Sequence, residues 1–261
     1  MTFLEDLKKS PAYCFTSDIE WANESVIKYA FKFFDKFNVP VTPFITHRSE
    51  EITRRYAGKE RLVGVHPNFF SDSTHGTTYQ EVVNHVIALN PRARGFRSHS
   101  CFVNLKIEDI FYDRNYKWDS NLVLHLQPDI VPLHLATGLT RFPNFLEDYH
   151  FLRLQSGTVN CAVHLKKIKP KLSTAGLKIF NFHPIHIFLN TTSLEQYMNY
   201  KSGKTSMKDE DGIKNIVENI IDYVKSNTGL GIFYLDDIYE IVSKDGGNRY
   251  IEHNKHWRRV C

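Results

Sequence analysis

The chain has 261 residues, 42% hydrophobic and 24% charged, with 33 basic and 29 acidic side chains and a formal charge of +4. A chain of this length and apolar content buries roughly three quarters of its unfolded surface, which excludes an intrinsically disordered protein and favours one domain over 1–261. So small an excess of base leaves no general electrostatic footprint for nucleic acid, which is not expected as a partner.

The opening, MTFLEDLKKSPAYC, lacks the apolar core of a signal peptide, and the sequence has no run of eighteen apolar residues. Residues 12–16 read as a first strand. Asn23 then caps a helix whose apolar positions Val26, Ile27, Ala30, Phe33, Phe34 and Phe37 recur with a 3.6-residue period. Residues 39–46 form strand two, and Pro40 and Pro43 within it predict an irregular or edge position. Residues 62–66 are a short strand ending in HPNF. Val82, Val83, Val86, Ile87 and Leu89 mark a helix that stops at Pro91, and Phe96 enters a strand ending in RSHS.

Further along, 107–112 is helical and 122–126 reads as a strand. Residues 177–182 form a strand ending in HPIH, and 212–225 give the clearest amphipathic helix. Residues 232–235 close the series as a last strand. Strands alternating with helices predict an α/β fold with parallel strands. Lys166, Lys167, Lys169, Lys171 and Lys178 fall in a stretch without acids and are expected on a solvated surface, with a contact to the phosphate of a nucleotide- or lipid-linked substrate as the alternative. The same holds for a basic tail carrying Arg249, Lys255, Arg258 and Arg259, where His253 and His256 also lie. The polar run 200–211 reads as a loop or lid. Four widely spaced cysteines (Cys14, Cys101, Cys161, Cys261) point to free thiols in a reducing compartment, hence a cytoplasmic protein.

Polar residues cluster where strands end: Asp18 and Glu20 after the first, His66 and Asn68 after the third, Arg97 and His99 after the fourth, His183 and His186 after a late one. In a parallel sheet or barrel all these ends share one face, so residues far apart in sequence converge on one mouth. One carboxylate with two imidazoles makes an open ligand set for Zn²⁺ or another divalent ion. A second carboxylate and a further histidine remain for proton transfer. Taken singly, each has a plainer reading as a helix cap, a satisfied core histidine or a solvated turn.

FTSDIEWA, GVHPNF, RSHS, RFPNFLEDYHF and NFHPIHIFLN, in that order, resemble the polysaccharide deacetylases (carbohydrate esterase family 4, NodB-homology domain), and among them the WbmS-type branch. The resemblance implies an irregular (β/α)7-type barrel and a metal-dependent hydrolase acting on an N-acetylated amino sugar of a surface polysaccharide. It makes Asp18 the general base, Glu20 and His66 metal ligands, and Arg97 the residue that holds Asp18 in place. His183 becomes the general acid, oriented by Asp148 with Glu147 as a rival. The family motif's second histidine, four residues after its first, is missing, because Phe70 stands there. His99 is the expected third ligand, with His75 and His186 as alternatives.

Asp119 is expected to shape the site or a turn, and Trp21, Phe69 and Phe102 to pack in the core or stack on a sugar. A nucleotide or lipid carrier for the sugar stays open, as do hydrolysis of a non-sugar amide or O-acetyl ester and a non-catalytic sugar-binding role.

Overall fold

The computed structural model describes residues 2–153, 158–204 and 211–247. The basic tail with His253 and His256, and residues 205–210 of the expected lid, lie outside them. Ten strands appear: β1 Pro11–Asp18, β2 Val41–Ile45, β3 Gly64–Val65, β4 Gly95–Phe96, β5 Trp118–Asp119, β6 Leu133–His134, β7 Thr140–Arg141, β8 Leu146–Glu147, β9 Gly176–Asn181 and β10 Gly231–Ile232. Every pairing is parallel except β6 with β7, and the order is β6-β7-β5-β4-β3-β2-β1-β9-β8, with β10 on β1.

The curl of this sheet comes from one extended stretch that changes partners. β7 pairs with β5 and β8 with β9. Between them Phe142 N–H donates to Asp119 O (2.8 Å), Asn144 N–H to Leu122 O (2.7 Å) and Phe145 N–H to Ile179 O (2.8 Å). Residues 140–147 thus leave one end of the sheet and join the other. Seven parallel positions follow around the ring (β9, β1, β2, β3, β4, β5 and this shared stretch), which is the irregular (β/α)7-type architecture that the resemblance implied.

β1 lies at its centre and all eight of its residues are buried. It is apolar early and polar at Thr16, Ser17 and Asp18, as expected of a strand covered on both faces whose carboxyl end feeds a site. Among the described residues the α-helices are α1 Phe3–Leu7, α2 Glu24–Asp35, α3 Glu50–Arg55, α4 Tyr79–Leu89, α5 Leu105–Asp113, α6 Asp148–Arg153, α7 Cys161–Leu172, α8 Pro184–Leu189, α9 Leu194–Lys201, α10 Ile213–Ser226 and α11 Leu235–Val242. Asn23 caps α2 by accepting from Val26 N–H at 3.1 Å. Among the described residues no helix is long and apolar enough to cross a membrane.

Several expectations change. β2 is interior, between β1 and β3. Ile45 O accepts from His66 N–H, so Pro43 also faces β3, and that ladder starts only at Phe44 opposite Gly64. The missing proline N–H therefore falls before the ladder begins. Residues 122–126 make one isolated bridge, Val123 to Asn144, and the strand there is β5. The last strand stops at Ile232, and Leu235 opens α11.

Lys166, Lys167, Lys169 and Lys171 are exposed on α7, but Lys178 is fully buried in β9. Its Nζ donates to Thr174 Oγ1 (3.0 Å) and Ala175 O (2.8 Å) above the Phe145 ring. Strand alternation decides its direction, and the neighbouring lysines carry no signal of that.

Candidate active site

The ladders continue past the strand ends and carry the polar residues in register. Ile19 N–H donates to Phe44 O (3.0 Å), His66 N–H to Ile45 O (2.8 Å), Arg97 N–H to Val65 O (3.1 Å) and His99 N–H to Pro67 O (2.8 Å). Asp18, Glu20, His66, Arg97, His99, Asp148 and His183 thereby gather at one mouth.

Glu20 is held with φ +47°, in the left-handed region that non-glycine residues seldom occupy, and Ser100 and Cys101 after His99 do the same. Such conformations cost about 1–3 kcal/mol each and persist where surrounding contacts impose them. At Glu20 the imposing contact is Thr46, whose hydroxyl donates to the Glu20 carbonyl.

One oxygen, Glu20 Oε1, faces three imidazoles: His99 Nδ1 at 3.0 Å, His66 Nε2 at 3.3 Å and His183 Nε2 at 3.6 Å. Burial alone would push this carboxyl up, but His66, His183 and His99 outweigh it and hold it well below the usual range. Ligand atoms of Glu20, His66 and His99 all lie within 4.8 Å of one another. An anionic oxygen facing imidazole lone pairs needs a cation or protons between them. The buried Nδ1 of His66 has no hydrogen-bond partner and lies 3.7 Å from Asp18 Oδ1. The other His66 nitrogen, Nε2, is the one turned to Glu20. The donor set fits a divalent cation such as Zn²⁺.

Asp18 and Arg97 form a buried ion pair at 2.9 Å. Every guanidinium N–H is used: Nη1 donates also to Thr16 Oγ1 (3.0 Å), Nη2 to Asn144 Oδ1 (2.7 Å) and Ser120 Oγ (3.0 Å), and Nε to Ser120 O (3.2 Å). Asn181 Nδ2 donates to the other Asp18 oxygen at 2.8 Å. Thr16, Ser120, Asn144 and Asn181 were not singled out in the sequence. Thr16, Asn144 and Asn181 lie inside the motifs FTSDIEWA, RFPNFLEDYHF and NFHPIHIFLN, and Ser120 follows Asp119.

His183 Nδ1 lies 2.5 Å from Asp148 Oδ1, and its backbone N–H donates to Asp148 Oδ2 at 2.7 Å. Burial disfavours the imidazolium, but Asp148 and Glu20 overcome it and raise the His183 pKa well above the ordinary value. Glu147 pairs instead with His150 Nδ1 at 2.9 Å, so Asp148 is the partner of His183.

His75 does not join the cluster. Its Nδ1 accepts from Asn68 N–H (3.1 Å) and its Nε2 faces Thr46 O (3.0 Å), so it pins the HPNF loop. His186 faces Thr191 Oγ1 and sits with Asp148 and His183. Asp119 is buried in a two-pronged pair with Arg141 (2.7 and 2.8 Å) and also accepts from Asn121 N–H at 3.2 Å. Trp21 and Phe102 are 46% and 37% exposed, so neither is a core residue, and Trp21 stands edge-on to His99 at 5.4 Å.

A family model for WbmS-like polysaccharide deacetylases matches residues 15–201. The chain belongs to this polysaccharide deacetylase family. Among solved structures, a polysaccharide deacetylase of Bordetella bronchiseptica, WbmS, described as involved in O-antigen biosynthesis, is 23% identical. The alignment covers 84% of this chain and 98% of that one, with a TM-score of 0.67. A second polysaccharide deacetylase structure, from Mycobacterium smegmatis, is 15% identical over 89% of this chain and 90% of that one, with a TM-score of 0.48. Among proteins of curated function, none matches the sequence. In this WbmS-like chain, the site cluster runs from Asp18 to His183, entirely inside the matched span.

Proposed function

We propose that this protein is a divalent-metal-dependent deacetylase that removes the N-acetyl group of an amino sugar during assembly of a surface polysaccharide such as O-antigen. The observation that carries the reading is the convergence of two buried proton-handling pairs, Asp18–Arg97 and His183–Asp148, on the Glu20–His66–His99 donor set. The O-antigen role described for the Bordetella structure supports the pathway. The free thiols of Cys14, Cys101 and Cys161 support action in a reducing compartment, the cytoplasm.

Glu20, His66 and His99 would hold the ion, Zn²⁺ by its ligand chemistry, which polarises the acetyl carbonyl and lowers the pKa of a water. Asp18 is the general base: Arg97 and Asn181 fix its two oxygens, so it accepts the water proton without swinging towards the ligands. His183, held protonated by Asp148, keeps a proton on Nε2 for the departing amine. Trp21 and Phe102 offer aromatic faces at the rim.

Acetate release from a panel of N-acetyl and O-acetyl sugars, with and without chelator, tests the reading. Turnover of N-acetyl sugars that is abolished by chelator and restored by metal is expected. Asp18→Asn and His183→Ala should lose activity by about 100-fold or more while keeping the far-ultraviolet spectrum. Wild-type rates in either variant would remove its assigned role. Preferred O-acetyl hydrolysis would replace amide by ester.

A further inference from the structure

The cavity that opens onto Glu20 and His183 has a volume of about 790 Å³, and its wall includes two cations that the hydrolytic chemistry leaves unused, Arg153 and Lys201. α6 begins with Asp148, the partner of His183, and ends with Arg153. Five residues at 1.5 Å each set Arg153 about 7–8 Å further along the helix axis. Lys201 is the last residue of α9, its Nζ 4.8 Å from the Tyr197 ring, which packs on His186.

Both cations are exposed, and among the described residues neither has a carboxylate partner. Several other arginines are paired: Arg55 with Asp35 and Glu51, Arg94 with Asp236 and Glu240, Arg141 with Asp119 and Glu108. Nor do the cavity's own acids supply partners. Glu147 is taken by His150, and Glu20 by the imidazoles. Two uncompensated cations in a concave wall concentrate a positive field, and a guanidinium matches the paired oxygens of a phosphate or carboxylate.

We propose that the substrate carries an anionic group, a glycosyl phosphate or a uronate carboxylate, seated against Arg153 and Lys201 while its acetamido group faces Glu20 and His183. The acetamido end rests on the deacetylase reading above, and the anion seat rests on the unpaired cations. A neutral amino sugar would leave both cations to water.

The test is calorimetric binding to the full, metal-loaded chain. The probes are N-acetylglucosamine and N-acetylgalactosamine, their 1-phosphates, and the corresponding N-acetylhexosaminuronic acids. At least one anionic class should bind about tenfold or more tightly than its neutral parent. In Arg153→Gln/Lys201→Gln the difference should shrink to about twofold or less, with an unchanged melting transition as the folding control. The tighter of the two anions identifies the source of the charge.

Equal affinity for neutral and anionic sugars, survival of the preference in the double variant, or no binding by any probe would each overturn the seat. Acetate release is read separately on the same sugars. Preferential binding with no acetate released would refute the deacetylase reading and leave the seat standing. Release from neutral and anionic sugars at equal kcat/KM, with equal affinity, would do the reverse.

Discussion

Replacing Arg97 by Met keeps an unbranched apolar stem and removes five charge-assisted hydrogen bonds at once. The Asp18 carboxylate is then left with Asn181 as its one close donor, in a place where Arg97 and Asp18 are 1% and 2% exposed. Breaking a buried ion pair from one side costs about 3–5 kcal/mol, because the remaining charge has neither water nor partner. Against a total stability of about 5–15 kcal/mol, that is about a fifth of the reserve or more.

Urea unfolding measures it, with chelator present so that no bound cation takes over the compensation. The midpoint should fall by roughly 1–2 M for an m-value of about 2–3 kcal/mol/M. Asp18→Asn/Arg97→Met removes both charges, so the double variant should lose less than the sum of the singles, by about 2 kcal/mol or more. A loss under about 1 kcal/mol in Arg97→Met, or strict additivity in the cycle, would refute the claim that Asp18 depends on this guanidinium.

Other consequences are smaller in scope. Asp148 is what keeps His183 protonated above its ordinary range, so turnover should decline as pH rises through that raised pKa. Asp148→Asn should move this alkaline limb downward by at least about one unit in the kcat profile, and an unmoved limb would mean that another group titrates. Metal analysis should find one tightly held divalent ion, with His99→Ala lowering affinity by about 100-fold and His75→Ala by far less, since both His75 nitrogens already have partners. Burial pushes the Lys178 ammonium down to about 8 from 10.5. The unfolded chain therefore binds the extra proton between those values, and the cost, present in full at neutral pH, is relieved as pH rises through 8 towards 10.5. Lys178→Met should flatten that part of the stability–pH curve, and urea melts at pH 7 and 9.5 would show it.

Much of the architecture is local information. The Asn23 cap and the 3.6-residue apolar period specify α2 without reference to the rest of the chain. The polar triplet at the end of β1 announces a strand whose far end meets a site. The motifs after β3, β4 and β9 each mark a strand end, and parallel topology alone then predicts a common mouth. The pairing of Glu20 with His66 and the approach of His99 were legible in that limited sense.

What the tertiary structure decided is which neighbours those residues meet. Residues 122–126 are a mainly apolar run that reads as a strand yet make one bridge, because the partner segment 140–147 turns away to β9. Pro43 looks like an edge signal but lies where its missing N–H has no ladder partner. His75 and His99 are both histidines near the HPNF loop, and only hydrogen bonding separates them: one has both nitrogens occupied, the other turns one to Glu20. Asp148 and Glu147 are adjacent in sequence, and the geometry around β8 gives one to His183 and the other to His150. Periodicity and capping are properties of a few consecutive residues, whereas register, closure and side-chain partners depend on segments that only folding brings together, as His99 meets Glu20 and His183 meets Asp148.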